Sequence, residues 1–369
     1  MQNHHNHDGV KPKIRNSHNQ KKLCLNLQKD WHIFIFLNLR FMRTSILIVM
    51  TILSSLPVIS QQVYSKKQPF AHTFSIVARD TVTGEMGVAV QSHWFSVGSV
   101  VTWGQAGVGV VATQSFVNPS FGPRGLSLLE NGLTPKMAVE TLLAIDEGRD
   151  VRQLAILDVN GKVEAYTGKN CIEAAGHLVG DNFSVQANLM DKNTVWPAMA
   201  EAFKKSTGTL AERMLAAMEA AQNEGGDIRG KQSAAILVVK AKSTGNSWED
   251  KTVDLRVEDS ENPLKEMRRL LTIHTAYDFM NKGDLAVEVG DNKLAKEHYM
   301  KAQQLNPDNL EMKYWYAVTL ANNGELDEAK AIFKNIFKQN SKWKELTPRL
   351  VKPKLLLIND EQLQEILKL

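Results

Sequence analysis

The stretch Thr73-Phe74-Ser75-Ile76-Val77-Ala78-Arg79-Asp80 decides the fold, together with the stretch Gly87-Val88-Ala89-Val90-Gln91-Ser92 that soon follows it. Both are rich in β-branched and small apolar residues, and a loop containing Gly84 joins them. Two strand-forming runs around a glycine-bearing loop predict a β-hairpin. The polar segment 61–69 before the hairpin predicts a linker, so the main folded part of the chain begins near Thr73.

Beyond the hairpin, strand and helix patterns alternate in groups. Runs rich in Val, Ile, Leu and Gly predict further strands at 99–103, 107–113, 154–159, 163–166, 183–189, 234–239 and 252–257. Apolar residues at helical spacing predict helices at 125–131, 135–146, 194–205 and 209–222. Paired helices between groups of strands, without single-helix crossovers, favour a mainly antiparallel, layered α+β domain over a Rossmann fold.

From about Pro263 the pattern is wholly helical. Residues 276–309 and 310–343 form two units of 34 residues, in which Ala295 corresponds to Ala329. This period, with small residues where helices cross, is typical of tetratricopeptide repeats. Two interpretations stay open for this region, because a pair of repeats can form either a groove that binds a protein partner or a helical buttress.

Composition and charge bound the classes of protein that the chain can belong to. Of its 369 residues 43% are apolar and 23% are charged, which is a globular balance with enough length for two domains. Residues 1–60 hold eight of the 44 Lys and Arg and two of the 40 Asp and Glu, so residues 61–369 hold 36 and 38. The net charge of −2 on that larger part gives no reason to predict nucleic-acid binding.

The N-terminal segment has the pattern of an exported protein. Residues 1–41 are polar and rich in Asn, His and Lys, and we interpret them as a disordered or untranslated extension, which predicts Met42 as the start. Residues 42–60 combine a short basic region, an apolar core and small residues at the end, which predicts a signal peptide. Residues 61–71 follow as a linker or short propeptide. We therefore expect a periplasmic or extracellular protein with no stable membrane span after cleavage.

Cysteine and histidine usage argues against several kinds of site. Only Cys24 and Cys171 occur, which excludes a disulfide framework and a four-cysteine zinc site. Cys171 has no neighbouring His or glycine elbow, so a small core residue is favoured over a catalytic nucleophile. No His and carboxylate group has the spacing of a metal site, and Gly104 to Gly109 lacks the strand-to-helix context of a dinucleotide fingerprint. Neither a metal ion nor a cofactor is predicted.

A set of short collinear segments resembles the family catalogued as domain of unknown function 1028. The resemblance covers roughly residues 72–257 and rests on Thr73 to Asp80, Gly87 to Val90, Val97-Gly98-Ser99, Gly107-Val108-Gly109, Ala112-Thr113-Gln114, Asn118-Pro119, Gly122 to Gly125, Gly176-His177 and Val185 to Leu189. It implies the fold of N-terminal-nucleophile hydrolases, a four-layer αββα antiparallel sandwich. An all-α tetratricopeptide-like module over 263–369 would follow this domain. The resemblance assigns no substrate.

The resemblance also implies a chemistry. Hydrolases of this type use the first residue of the mature chain as nucleophile and its own α-amine as base, since a free α-amine has a pKa of about 7.7–8.0. Thr73 opens the first strand and is the candidate nucleophile, and Ser75, on the same strand face, is the second candidate. Thr73 has a free amine only after a cut at His72-Thr73, because signal cleavage after Ser60 leaves 12 residues before it.

Other polar residues are candidates for weaker roles in the same site. The side-chain amide of Asn188 is a candidate donor to a developing oxyanion. Residues expected to line the cleft or bind polar groups of a substrate lie at strand ends; they are Ser92, His93, Thr113, Gln114, Asn118 and Gln186.

Two hypotheses of different class remain at this stage. The first is an exported amidohydrolase or peptidase-like enzyme that acts on a small-molecule or peptide amide bond. The second is a non-catalytic binding or scaffold protein that acts through its repeats, because a fold alone does not assign a function. The sequence does not indicate an oligomeric state.

Overall fold

The structure is a computed structural model that describes residues 70–369. The predicted extension 1–41, the predicted signal peptide 42–60 and most of the predicted linker or propeptide 61–71 lie outside the described residues. Within the described range, the chain has a mixed α+β part with antiparallel sheets, followed by a helical part.

The strands of the described range form two antiparallel sheets. They are β1 (Phe70–Ala71), β2 (Thr73–Arg79), β3 (Met86–Ser92), β4 (Thr102–Gln105), β5 (Gly109–Phe116), β6 (Arg152–Asp158), β7 (Val163–Thr167), β8 (Gly176–Gly180), β9 (Phe183–Ala187), β10 (Ser233–Val239) and β11 (Lys251–Val257). The first sheet has the order β1-β5-β6-β7, with β4 also paired to β5, and the second has the order β11-β10-β3-β2-β9-β8. The predicted hairpin is β2 and β3, with Thr73 opposite Ser92.

The helices of the α+β part are α1 (Gly98–Val101), α2 (Phe121–Glu130), α3 (Pro135–Ala144), α4 (Val195–Lys205) and α5 (Leu210–Asn223). The predicted strand at 99–103 was wrong at its start. Residues 98–101 form one helical turn instead, which brings Gly98 so close to Ala235 that an added Cβ would lie 2.5 Å from the alanine side chain. Thr102 Oγ1 also donates to the Gly98 carbonyl at 2.8 Å.

Alternation along the strands separates three apolar layers. Phe74 and Ile76 of β2 pack with helices α4 and α5, whereas Val77 faces the first sheet. On the far side of the first sheet, Val111 and Ile156 pack against α2 and α3. The two sheets therefore face one another, and the residues between them are the ones that form the candidate site.

The helical part comprises α6 (Pro263–Glu288), α7 (Asn292–Leu305), α8 (Leu310–Asn322), α9 (Leu326–Gln339), α10 (Lys342–Leu346) and α11 (Asp360–Leu367). Helix α6 contributes Leu264 to the core of the α+β part and Met280 to the core of the repeats. Ala295 and Ala329, predicted where helices cross, are both fully buried. Among the described helices, none has the length and apolar character that crossing a membrane requires.

Candidate functional site

The space between the two sheets divides into an apolar and a polar half. The apolar half, called the valine cluster here, comprises Val77, Val88, Val90, Val110, Ala112, Ala155, Leu157, Leu237 and their buried neighbours. The polar half, called the amide cluster, comprises Ser75, Gln114, Gln153, Gln186 and Asn188. All five residues of the amide cluster are fully buried. The division follows each strand, because Gln114 and Ala112 lie two residues apart on one face of β5.

Hydrogen bonds join the whole amide cluster across the two sheets. Ser75 Oγ donates to Gln114 Oε1 and accepts from Gln186 Nε2, both at 2.6 Å. Gln153 Oε1 accepts from Gln114 Nε2 at 2.6 Å and from Asn188 Nδ2 at 2.8 Å. Gln153 Nε2 in turn donates to the Ala187 carbonyl at 2.9 Å. Such a connected buried network fixes the positions of its members more tightly than apolar contacts do.

His72 lies at the junction where the chain crosses from one sheet to the other. Ala71 of β1 pairs with Ser115 in the first sheet, and Thr73 begins β2 in the second. His72 is 2% exposed, and its Nδ1 donates to Asn188 Oδ1 at 2.7 Å. The ring also meets the ring of Phe116 edge to face, with centroids 5.5 Å apart. The residue before Thr73 is therefore held by the amide cluster itself.

Two side chains converge on the carbonyl oxygen of His72. Ser92 Oγ donates to it at 2.6 Å and Arg229 Nη2 donates to it at 2.9 Å. Arg229 is fixed by an ion pair with the fully buried carboxylate of Asp227, with Nη2 2.6 Å from Oδ2. A hydroxyl and a guanidinium directed at one carbonyl oxygen are suited to stabilise negative charge on that oxygen.

Thr73 is held on both sides of its peptide unit. Its carbonyl accepts from the backbone N–H of Asn188 at 3.1 Å and from Gln114 Nε2 at 3.3 Å. Its Oγ1 turns back and donates to the Ala71 carbonyl at 3.3 Å, so the hydroxyl lies on the side of the preceding peptide groups. The side chain is fully buried in the uncleaved chain.

The environment of the His72 ring favours its neutral form. Burial lowers the pKa of His72, and the positive charge of Arg229 lowers it further, against the opposing effects of the bond to Asn188 and of Asp227. The uncharged ring donates from Nδ1 without adding a second cation beside Arg229.

The predicted site residues separate into two groups. Ser75, Gln114, Gln186 and Asn188 lie together in the amide cluster, and Ser92 reaches the His72 carbonyl. Thr73 belongs with them, because its carbonyl accepts from Gln114 Nε2. The other three, His93, Thr113 and Asn118, lie outside the amide cluster. The His93 side chain is exposed, and only its backbone N–H donates to Asp227. Thr113 Oγ1 donates to the Asn118 carbonyl, and Asn118 Oδ1 accepts from Ser120 just before α2.

Reasoning from sequence missed three residues of this arrangement. His72 and Gln153 gave no local signal, because their importance depends on contacts between the sheets. Arg229 follows Asp227 in a glycine-rich loop, which is a pairing that the sequence does display. Asn188 was expected to donate to an oxyanion, but its Nδ2 faces Gln153 and its Oδ1 faces the His72 ring.

The amide cluster approaches the surface at a groove of about 730 Å³ between the end of β7 and the start of β8. Thr167 lines this groove, accepts from Gln153 Nε2 at 2.9 Å and bonds to His177 Nδ1 at 2.8 Å. Cys171 also lines it, but burial raises the pKa of the thiol, which disfavours the reactive thiolate. Among the described residues, no group of three or more His, Cys, Asp or Glu is placed to hold a metal ion.

Comparisons with known proteins match both parts of the chain. Residues 73–267 match the Family of unknown function (DUF1028), and residues 286–347 match the tetratricopeptide repeat. A crystal structure of a protein from Silicibacter pomeroyi, described as a member of that family of unknown function, is 32% identical with a TM-score of 0.50. The similarity covers 56% of this chain and 90% of that one. No curated protein matches. The repeat match suggests protein interaction, since such repeats form extended binding surfaces.

Proposed function

This chain belongs to the family of unknown function DUF1028, and from that premise we propose that it is an amide-bond hydrolase of the N-terminal-nucleophile type. Thr73 is the nucleophile in this proposal. The described structure, in which Thr73 follows His72 in an unbroken chain, then corresponds to a precursor. Cleavage of the His72-Thr73 peptide bond gives the active form.

One observation carries the proposal. The peptide bond that must break to free Thr73 is the one whose carbonyl oxygen receives both Ser92 Oγ and Arg229 Nη2. Hydrogen bonds from two fixed donors stabilise the tetrahedral intermediate of attack on that carbonyl, and such donors are worth about 100- to 1000-fold in rate each. The Thr73 hydroxyl is on the adjacent residue and is turned toward the same segment.

The cleavage balances as an intramolecular acyl shift followed by hydrolysis. Thr73 Oγ1 attacks the carbonyl carbon of His72, and its proton is transferred to the nitrogen of Thr73 as the carbon–nitrogen bond breaks. An ester then joins His72 to Thr73 Oγ1, and Thr73 has a free α-amine. Water hydrolyses the ester, which releases the His72 carboxylate and restores the hydroxyl.

The freed amine then supports turnover of a substrate. It takes the proton of Oγ1 as that oxygen attacks an amide carbonyl, and it returns a proton to the leaving amine. Ser92 and Arg229 serve as oxyanion donors again, and the contacts of Gln114 and Asn188 to the Thr73 carbonyl keep the nucleophile in place. Two side chains, Thr167 and Gln153, separate the solvent in this groove from Asn188.

Two wider expectations belong to the same proposal. The two facing sheets with helices on both outer sides support the four-layer αββα sandwich of N-terminal-nucleophile hydrolases. The signal-peptide pattern at 42–60 supports export to the periplasm or the extracellular space. A mature N-terminus determined on protein from its native host tests the second expectation.

The test of the proposed function is the fate of the His72-Thr73 bond in the full chain. Intact-mass measurement during incubation at neutral pH should show a cut at this bond in the wild-type protein and none in Thr73→Ala. Thr73→Ser should still cleave, because serine retains the hydroxyl. Thr83→Ala, an exposed threonine on the hairpin turn, is the matched control and should cleave as the wild type does.

Circular dichroism should show that Thr73→Ala is folded. A wild-type chain that stays intact, or a cut that persists unchanged in Thr73→Ala, would contradict the proposal and leave the binding or scaffold function of the repeats. Loss of the cut in Ser75→Ala but not in Thr73→Ala would assign the nucleophile to Ser75 instead.

A further inference from the structure

We propose that the place occupied by Ala71 and His72 is the acyl-group subsite of the processed protein, and that its substrates are peptide amides with a histidine on the acyl side and a small apolar residue before it. This inference rests on the proposed function, because it takes Thr73 as the nucleophile. It adds the class of substrate, which the family resemblance leaves open.

The argument starts from the identity of the two ester intermediates. Self-cleavage passes through an ester between His72 and Thr73 Oγ1, and turnover passes through an ester between the substrate's acyl group and the same oxygen. Both esters need their carbonyl oxygen at Ser92 and Arg229. The acyl group of a substrate must therefore lie where the residues ending at His72 lie in the precursor.

The pocket around the His72 side chain selects an aromatic ring with an N–H group. Asn188 Oδ1 accepts from Nδ1 at 2.7 Å, and the Phe116 ring packs edge to face on the imidazole. The side chain is 2% exposed, so a residue that cannot donate would leave the Asn188 oxygen without this buried donor. Phenylalanine keeps the ring contact and loses the hydrogen bond, whereas alanine loses both.

Charge adds a second criterion at the same position. Arg229 lies at the carbonyl of His72, and both burial and this guanidinium lower the pKa of the imidazole. A lysine side chain keeps its positive charge at neutral pH, so it would have to be desolvated beside a second cation. The subsite therefore accepts the neutral imidazole and rejects a permanently cationic residue.

The position before it favours a small residue. Ala71 is fully buried in the valine cluster, and its backbone pairs with Ser115 at the end of β5. Ser115 holds a φ of +71° in a fully buried strand, which is a conformation that side chains rarely adopt. The strand end that receives the acyl segment is thus fixed, and a larger residue in place of Ala71 would overpack it.

The experiment uses the full chain after it has cut itself. Four fluorogenic amides, acetyl-Ala-X-aminomethylcoumarin with X as His, Phe, Ala or Lys, are compared by kcat/KM at pH 7.5. We expect His to exceed Ala by at least about 10-fold, because one buried hydrogen bond and one ring contact are lost together. Phe should fall between them and Lys should be the poorest.

A variant of the pocket checks the cause of the preference. Asn188→Leu removes the acceptor of the imidazole N–H, so the ratio of His to Phe should fall to about one, whatever happens to the absolute rate. Comparing substrates within one variant separates recognition from any general loss of activity. Asn131→Leu, at the exposed end of α2, is the control and should keep the wild-type ratio.

The outcomes separate this inference from the proposed function. Hydrolysis of all four amides at similar kcat/KM, or a preference that persists in Asn188→Leu, overturns the subsite and leaves the hydrolase intact. A chain that cuts itself but hydrolyses none of the four overturns the subsite as stated. A chain that does not cut itself overturns the proposed function, and the subsite with it.

Discussion

The valine cluster and the amide cluster are two halves of one interface, built from the same strands. Ser75 and Val77 are neighbours on one face of β2, and Gln153 and Ala155 are neighbours on one face of β6. Both halves are buried, but one holds the sheets together by apolar contact and the other by directed hydrogen bonds.

The difference indicates what each half contributes. Apolar burial stabilises in proportion to area and has no preferred direction, so the valine cluster can change in detail without moving the strands. Buried amides have to keep their partners, because an unmade hydrogen bond there costs about 1–3 kcal/mol. The amide cluster therefore fixes the position of the strands where His72 and Thr73 lie, and disrupting it is costly.

The largest expected effect is in the amide cluster. Gln153→Leu keeps the volume but removes the acceptor of Gln114 and Asn188 and the donor to Ala187, so we expect a loss of about 3–5 kcal/mol of unfolding free energy. Urea unfolding measures this loss. Gln105→Leu, a partly exposed glutamine on β4, should change stability by less than about 0.5 kcal/mol. A small effect of Gln153→Leu would show that the network is not needed to hold the sheets.

A cavity in the valine cluster should act differently. Leu157→Ala removes a fully buried side chain and should cost about 3 kcal/mol in urea unfolding, whereas Leu157→Met should cost less than about 1.5 kcal/mol. Cleavage at the His72-Thr73 bond should continue in both variants, because the apolar Leu157 side chain takes no part in the hydrogen bonds of the amide cluster. Loss of cleavage in folded Leu157→Ala would show that the two halves are coupled.

Moving polarity into the valine cluster gives a smaller effect. Val88→Thr changes one methyl to a hydroxyl at a fully buried position between the sheets, so we expect a loss of about 1–2 kcal/mol of unfolding free energy. Val82→Thr at the 92% exposed hairpin turn is the control and should be nearly neutral. If Val88→Thr leaves the free energy of unfolding unchanged, the valine cluster accepts polar groups as the amide cluster does.

The smallest expected effect is a dependence of stability on pH, which arises at His72 beside the amide cluster. The folded pKa of His72 lies below its unfolded value of 6.5, so the unfolded chain binds more protons between the two values. The contribution of neutral His72 to the free energy of unfolding is then fully present above about pH 6.5, and it is lost as the pH falls through that value toward the folded pKa. Thermal unfolding of the uncleaved Thr73→Ala chain should show this loss, and the same chain with His72→Asn should show less of it.

Much of the fold could be predicted from local pattern. The hairpin of β2 and β3, the pair of β6 and β7 around Asn160-Gly161, and the repeat spacing are all set by residues close together in sequence. Strand β8 was not predicted, since its short glycine-ended run is nowhere buried and lacks an apolar pattern.

The candidate site could be predicted only where period two reveals it. Period two places Thr73 and Ser75 on one strand face and Gln186 and Asn188 on another, and all four residues are fully buried in the structure. The polarity of Thr113 looked the same as that of Gln114, but adjacent strand residues face opposite ways and Thr113 points toward the helices. Arg229 contacts His72 although the two residues are 157 positions apart in sequence, and a local sequence pattern cannot predict such a contact.

Helix α6 has a consequence for the order of events during synthesis. Its 26 residues span about 39 Å, and its first half supplies Leu264, Met267 and Leu271 to the core behind the second sheet. During synthesis, Thr73 and every residue of the amide cluster leave the ribosome well before Leu264, Met267 and Leu271 do. Helices α4 and α5 already cover β2 on that face, but β11 stays uncovered there until α6 has formed, so the core behind the second sheet is completed only by the helical part of the chain.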